Sequence, residues 1–214
     1  MQRLFASSQH RRRAGAVPRC ARCSMQLYLC LCAEFGGLAL ATRVIVVRTP
    51  REREQLTNTG RLVPLALANA ALCEREELAD SEFVEPARRT LLLFPAPGAP
   101  ELALDPVDRR PVTLVVPDGT WRSTRRMVAR ESALVTLPRV TLPAGPPTRY
   151  RLRTHPNELC LATLEAVARA LGILEGPSVE QHLTRLFTLF VERTLWSRGR
   201  IRAEDVTGGV PPRS

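Results

Sequence analysis

Four cysteines fall within 13 residues, as Cys20-Ala21-Arg22-Cys23 followed by Cys30-Leu31-Cys32. A structural zinc site needs four soft ligands closing a short loop into a tetrahedron, and these thiolates supply them. Four cysteines leave no coordination position open to a substrate, so such a zinc holds structure and does not catalyse. The competing reading is disulfides or unrelated thiols, and the C-x-C half is an unusual ligand spacing. Cys73 and Cys160 stand apart and read as small buried residues.

A second constellation is Pro117-Asp118-Gly119-Thr120-Trp121, which follows an apolar strand and precedes a stretch of helical composition. In open parallel sheets the crevice beyond the strand ends is where ligands bind. Gly119 permits an unusual backbone angle or a close ligand approach. Asp118 is a candidate general base at that position; the plainer alternative is that Asp118 or Thr120 caps the following helix. Trp121 either stacks on a nucleobase or anchors the core. Arg122, Arg126 and Arg130 recur every fourth residue with Arg125 beside them, giving one basic helix face, and Arg149, Arg151 and Arg153 form a second block. Together they read as a track for an RNA backbone, or else as a solvated charged face. Thr163 opens a helix whose amides can hold an anion, while Glu165 in the first turn is explained by the helix dipole alone. Asn58-Thr59-Gly60-Arg61-Leu62 reads as a helix start. His10, His155 and His182 are too isolated to form a metal site.

These residues need a scaffold, and the apolar runs provide one. Val44–Val47, Leu91–Phe94 and Val112–Val116 are short β-branched or leucine-rich runs that predict buried strands. Leu134–Leu142 predicts a further strand interrupted by Pro138. Helices are expected from Asn58 or Thr59 to Ala71, from Trp121 to Glu131, and from Leu161 to Leu171 with closure at Gly172. Ser178-Val179-Glu180-Gln181 has the form of a capping box and opens a helix to about Ser197, whose Leu183, Leu186, Phe187 and Phe190 recur at core spacing. The five prolines of residues 95–111 mark a loop, as do Pro143–Pro147. Strands alternating with helices predict an α/β domain with a mainly parallel sheet. Residues 1–19 read as a basic arm, 20–37 as the zinc-binding segment, 38–203 as the main domain and 204–214 as a frayed tail. No G-x-G-x-x-G follows a strand and there is no P-loop, which disfavours nucleotide sites of those kinds.

The chain of 214 residues is 44% hydrophobic, enough for a sizeable core. It has no run of about 18 apolar residues and therefore no expected membrane span. The net charge is +10, carried by arginine without lysine. Residues 1–33 hold six arginines and no acid, and residues 119–157 hold eight arginines against Glu131. Such clustering implies a polyanionic partner, since guanidinium forks match phosphate oxygens. The Arg-rich start also has the character of an organellar transit peptide, but no apolar secretory segment precedes the cysteines, and a reducing, cytoplasmic compartment is expected. No obligate protein partner is evident.

Taken in order, several segments resemble the DTW-domain family, the tRNA-uridine aminocarboxypropyltransferases. They are the four N-terminal cysteines, Pro50-Arg51-Glu52, Asn58 to Leu62, Leu92-Leu93-Phe94-Pro95, Asp118-Gly119-Thr120-Trp121, Tyr150-Arg151-Leu152-Arg153 and Thr163-Leu164-Glu165-Ala166. Arg48-Thr49 departs from the pattern, since such proteins often carry a histidine before Pro-Arg-Glu, and that position is given no catalytic role. The resemblance implies a SPOUT-like fold with a C-terminal trefoil knot at the cofactor site, S-adenosylmethionine as donor and a tRNA uridine as acceptor. The matching segments point to a donor site built from Asn58, Gly60, Arg61, Gly119, Thr120, Trp121, Arg153, Thr163 and Glu165, with Asp118 the candidate catalytic base or, alternatively, a ligand of the donor. Arg61 and Arg153 compete for the donor carboxylate or a tRNA phosphate. Two other functions fit the same residues: a SPOUT-type RNA methyltransferase, and a non-catalytic zinc protein that binds RNA.

Overall fold

The computed structural model describes residues 17–80, 83–154 and 160–212. The basic arm up to residue 16, and His155, lie outside them. Five strands, β1 (Arg43–Arg48), β2 (Ala70–Glu74), β3 (Arg89–Leu93), β4 (Val112–Asp118) and β5 (Arg139–Val140), form one sheet in the order β2-β1-β4-β3-β5. Every neighbouring pair is parallel. The helices are α1 (Pro50–Arg53), α2 (Val63–Ala66), α3 (Trp121–Arg130), α4 (Ser132–Val135), α5 (Thr163–Glu175) and α6 (Pro177–Ser197).

Both faces of the sheet are covered, which is why the strands read as continuous apolar runs. Alternation sorts the side chains. Val44, Val46, Leu91, Leu93, Leu114 and Val116 join one core with α5, α6 and the cysteine segment. Ile45, Val47, Leu92, Phe94 and Val115 join the other with Met127 and Val128 of α3. Leu183, Leu186, Phe187 and Phe190 of α6 are all buried, as their spacing predicts. None of the described helices is long and apolar enough to cross a membrane.

The strand order creates a switch point. After β1 the chain leaves for β2 on one side, and after β4 it leaves for β5 on the other. A crevice therefore opens between the carboxyl ends of β1 and β4, where Arg48 and Asp118 are register partners.

Several expected elements differ. Asn58 does start a helical turn, its Oδ1 accepting from Arg61 N at 2.9 Å, but this yields only a 3-10 turn (Gly60–Leu62) and the four residues of α2. Leu67 is already extended, and Ala70–Cys73 pair with Val44–Val47 as β2. Strand pairing outweighs local helix preference there. The expected strand at 134–142 shrinks to two residues, because Leu134 closes a helical turn and Pro138 breaks the run. Helix α5 continues through Gly172, where the missing side chain admits Glu180 of α6: a Cβ there would collide with its carboxylate. The turn comes instead at Gly176, whose φ of 110° suits glycine. Pro177 then starts α6, and no capping bond forms at Ser178. The tail is not frayed throughout, because a 3-10 turn at Ala203–Asp205 brings Val206 into burial.

Candidate active site

A cleft of about 310 Å³ lies at the crevice between β1 and β4. Its walls come from four segments: Thr57–Thr59 after α1, Asp118–Arg122 at the end of β4 and start of α3, Tyr150 to Thr154, and Cys160–Thr163 leading into α5. Glu52 of α1 completes it.

Asp118 is the last residue of β4 and is 2% exposed. Its Oδ1 accepts from Thr163 Oγ1 at 2.5 Å, and its Oδ2 accepts from Asn58 Nδ2 at 2.6 Å. Burial pushes its carboxyl above the usual range, although the bonds from Thr163 and Asn58 oppose the rise. Asp118 does not cap α3. Thr120 does, its Oγ1 accepting from Ser123 N at 3.2 Å. Gly60 sits directly against the carboxylate, and a Cβ there would lie 2.7 Å from Asp118 Cγ. Thr59 Oγ1 accepts from Leu164 N at 3.3 Å and fastens this loop to the first turn of α5.

Glu52 is the second buried acid. Asn58 Nδ2 also donates to its Oε2 at 3.0 Å, so one amide bridges both carboxylates. Arg153 grips Glu52 with a bidentate fork, two bonds of 2.8 Å. Burial pushes Glu52 up, but the Arg153 fork and Asn58 outweigh it and hold the carboxyl below its usual value. Arg153 Nε donates to Thr57 Oγ1 at 2.8 Å, and Tyr150 donates to Thr57 O at 2.6 Å. Arg153 itself lines the cleft, and a guanidinium carries more donors than these bonds use.

Trp121 lines the cleft while packing on Phe94, ring centroids 5.9 Å apart. The described structure thus brings Asn58, Gly119, Thr120, Trp121, Arg153 and Thr163 to one cleft with Asp118. Gly60 stands behind the carboxylate. Two expected donor-site residues stand elsewhere. Glu165 is a cap: its carboxylate accepts from Ala162 N at 3.2 Å, Arg149 N at 2.8 Å and Thr148 Oγ1 at 2.5 Å. Arg61 is not among the residues that line the cleft, and its guanidinium is bonded to Ser24 Oγ, to Arg53 O at 3.1 Å and to Gln55 O at 2.8 Å, with its Nε buried and unpartnered. Of the basic residues, Arg122 stands at the cleft wall, and Arg125, Arg126, Arg130, Arg149 and Arg151 are exposed.

The four N-terminal cysteines also converge. All four sulfurs lie within 4.8 Å of one another, with Cys20–Cys32 at 3.5 Å and Cys23–Cys30 at 3.6 Å, and none is in a disulfide. A tetrahedron with metal–sulfur bonds near 2.3 Å has edges of roughly 3.8 Å. The donor set therefore fits a soft divalent cation. Cys23, Met25, Leu29 and Leu31 belong to the main core, so the segment is built into the domain rather than appended to it.

The DTW domain matches residues 17–195. The chain belongs to the DTW-domain family. It is 29% identical over 180 residues to the tRNA-uridine aminocarboxypropyltransferase 2 of Drosophila melanogaster, covering 78% of this chain and 71% of that one. It is 30% identical over 169 residues to the protein of the same name from Macaca fascicularis, covering 74% of this chain but only 57% of that one. The structure of the SAM-dependent rRNA:acp-transferase Tsr3 from Vulcanisaeta distributa aligns with a TM-score of 0.47 at 22% identity, over 79% of this chain and 88% of that one.

In this DTW-domain chain, sequence reasoning missed Glu52, Thr57, Thr59 and Tyr150 as members of the site. Pro50-Arg51-Glu52 and Tyr150 stand among the matching segments, but nothing in their spacing says that residues 52 and 153 meet.

Proposed function

We propose that this DTW-domain chain transfers the 3-amino-3-carboxypropyl group of S-adenosylmethionine to N3 of a uridine in tRNA. The observation that carries the reading is a buried carboxylate, Asp118, lining a cleft at the sheet's switch point beside an arginine whose fork is only partly used. In the reaction N3 bonds to the terminal methylene of the donor's amino-acid arm. The carbon–sulfur bond breaks, its electron pair stays on sulfur, and methylthioadenosine leaves. The N3 proton must pass to a base.

Each group has a task in this reading. Asp118 takes the N3 proton; burial raises its affinity for protons above that of a free carboxylate, which strengthens it as a base. Asn58 and Thr163 hold it in place. Arg153, fixed by Glu52 and Thr57 and lining the cleft, binds the donor carboxylate with its remaining donors. Presenting the methylene and not the methyl carbon is a matter of donor orientation, which such a fixed fork provides. Asn58, Gly119, Thr120 and Trp121 complete the donor walls. N3 lies on the Watson–Crick edge, so the uridine enters unpaired. The exposed face of α3, Arg122, Arg125, Arg126 and Arg130, together with Arg149 and Arg151, carries the tRNA backbone.

The same reading places zinc on Cys20, Cys23, Cys30 and Cys32 as a structural ion, residues 38–203 as the catalytic domain, and a trefoil knot in the chain's C-terminal part. The test is product analysis with purified protein, donor and tRNA. Methylthioadenosine is the expected by-product. S-adenosylhomocysteine would make the chain a methyltransferase, and neither product would leave a non-catalytic RNA-binding protein.

A further inference from the structure

The cysteine turn and the cleft are joined by one side chain. Residues Cys20 to Met25 form a tight knuckle, with Cys20 N donating to Met25 O at 2.8 Å and Ser24 N to Cys20 O at 2.9 Å. Ser24 has φ of 61°, and among the described residues no other non-glycine residue has positive φ. This left-handed backbone costs energy and persists where the surroundings enforce it. It follows Cys23 directly and turns the Ser24 hydroxyl to the Arg61 guanidinium.

Arg61 then reaches the loop that builds the cleft. Its Nη2 donates to Arg53 O at 3.1 Å and to Gln55 O at 2.8 Å, and its backbone N donates to Asn58 Oδ1 at 2.9 Å. Asn58 in turn spends its amide hydrogens on Glu52 and Asp118. The path from metal-binding knuckle to reactive carboxylate is therefore Cys23, Ser24, Arg61, Asn58, Asp118, joined by covalent and hydrogen bonds throughout. Arg61 thus bridges the knuckle and the loop of residues 53–58, and a strut of this kind bears on whether Asn58 meets both acids at once.

We propose that Arg61 is a positioning residue that couples the cysteine cluster to the cleft, so that metal occupancy and donor binding reinforce each other. This rests on the reading of the cluster as a metal site and of the cleft as the donor site. Coupling between two sites is reciprocal: if the metal orders the cleft, donor in the cleft must retain the metal.

The experiment uses the full-length zinc-loaded protein. Zinc release to a chromogenic chelator is followed with and without saturating S-adenosylmethionine, in the parent, Ser24→Gly and Arg61→Met. Ser24→Gly removes the hydroxyl while easing the positive φ, and it alters nothing in the cleft, so it decides alone if Arg61→Met does not fold. Donor is expected to slow release in the parent by about fivefold or more, the lower end of measured couplings. In both variants that protection falls to within about twofold, and Arg61→Lys does not restore it, since one ammonium cannot span three acceptors. Full donor protection in Ser24→Gly overturns the proposal, as does a parent that binds donor and zinc without any protection. Elemental analysis and donor calorimetry on the parent come first. Absence of zinc, or of donor binding, overturns the underlying site reading and this inference with it, and those two controls say which has failed.

Discussion

Two buried polar clusters organise this molecule, and they are built in opposite ways. The cysteine cluster is local: its four candidate ligands fall within 13 residues, and its sulfurs converge within 4.8 Å of one another, with only nearby backbone N–H groups beside them. The acid cluster is non-local: Glu52, Asn58, Asp118, Arg153 and Thr163 come from five segments, and every carboxylate oxygen in it already has a hydrogen bond. The first is a set of soft donors whose spacing suits a cation. The second is a finished network that a ligand must join without breaking. A metal-bearing cluster should therefore fail by losing its ion, and the finished network by losing a member.

The largest effect is expected from the cysteines. Metal binding to such a site contributes on the order of 10 kcal/mol of folding energy. Cys23 is fully buried in the main core with Met25, Leu29 and Leu31, so Cys23→Ser or exhaustive chelation should unfold far more than the turn. Loss of the cooperative thermal transition is the expected result. A chelated protein that melts like the parent would reduce the cluster to four packed thiols.

In the acid cluster, Glu52→Gln should cost about 3 kcal/mol, because it strips a buried arginine fork of its charge partner. The figure is the low end of the range, since the Arg153 side chain keeps 29% of its exposure. The pH dependence follows from the sign of the shift. Glu52 is held below its ordinary value of 4.5, so its stabilisation is complete above that pH and is lost as pH falls through the lower folded value. Denaturant titrations at pH 7 and pH 3 should show the gap between variant and parent closing in acid. A constant gap would mean that the fork is not what Glu52 contributes.

The smallest effect belongs to the exposed basic face, which neither cluster supports. Replacing Arg122, Arg126 and Arg130 together with glutamine should lower the salt dependence of tRNA binding by about one unit per lost phosphate contact, leaving stability nearly unchanged. An unaltered slope would assign α3 to bulk solvent.

What was legible in the sequence follows the same divide. The cysteine cluster, the parallel sheet and the core face of α6 were readable because each rests on short-range spacing. Asp118 was readable as a residue at a strand end, but its partners were not: Glu52 meets Arg153 across 101 positions and Thr163 meets Asp118 across 45, and no local pattern reports a contact that long. Glu165 and Arg61 stand outside the cleft lining for the same reason. Both have charges that suit a donor site, and both spend them on backbone and hydroxyl partners that only the fold supplies. Strand β2 was lost to a helix because Ala70–Cys73 has no β signature of its own and becomes a strand through Val44–Val47.

In the proposed reaction Asp118 acts in chemistry, within a network that does not need its charge to fold. Asparagine fits the same place: its oxygen can accept from Asn58 and its amide can donate to Thr163, whose oxygen is free to accept. Nucleoside mass spectrometry of tRNA incubated with donor and either the parent or Asp118→Asn, sampled over a single turnover, tests this directly. Parent protein should add one aminocarboxypropyl group to uridine, and the variant should do so about a hundredfold more slowly or worse, with donor affinity and melting temperature nearly unchanged. A variant that binds donor and tRNA normally and modifies uridine at the parental rate would contradict the account.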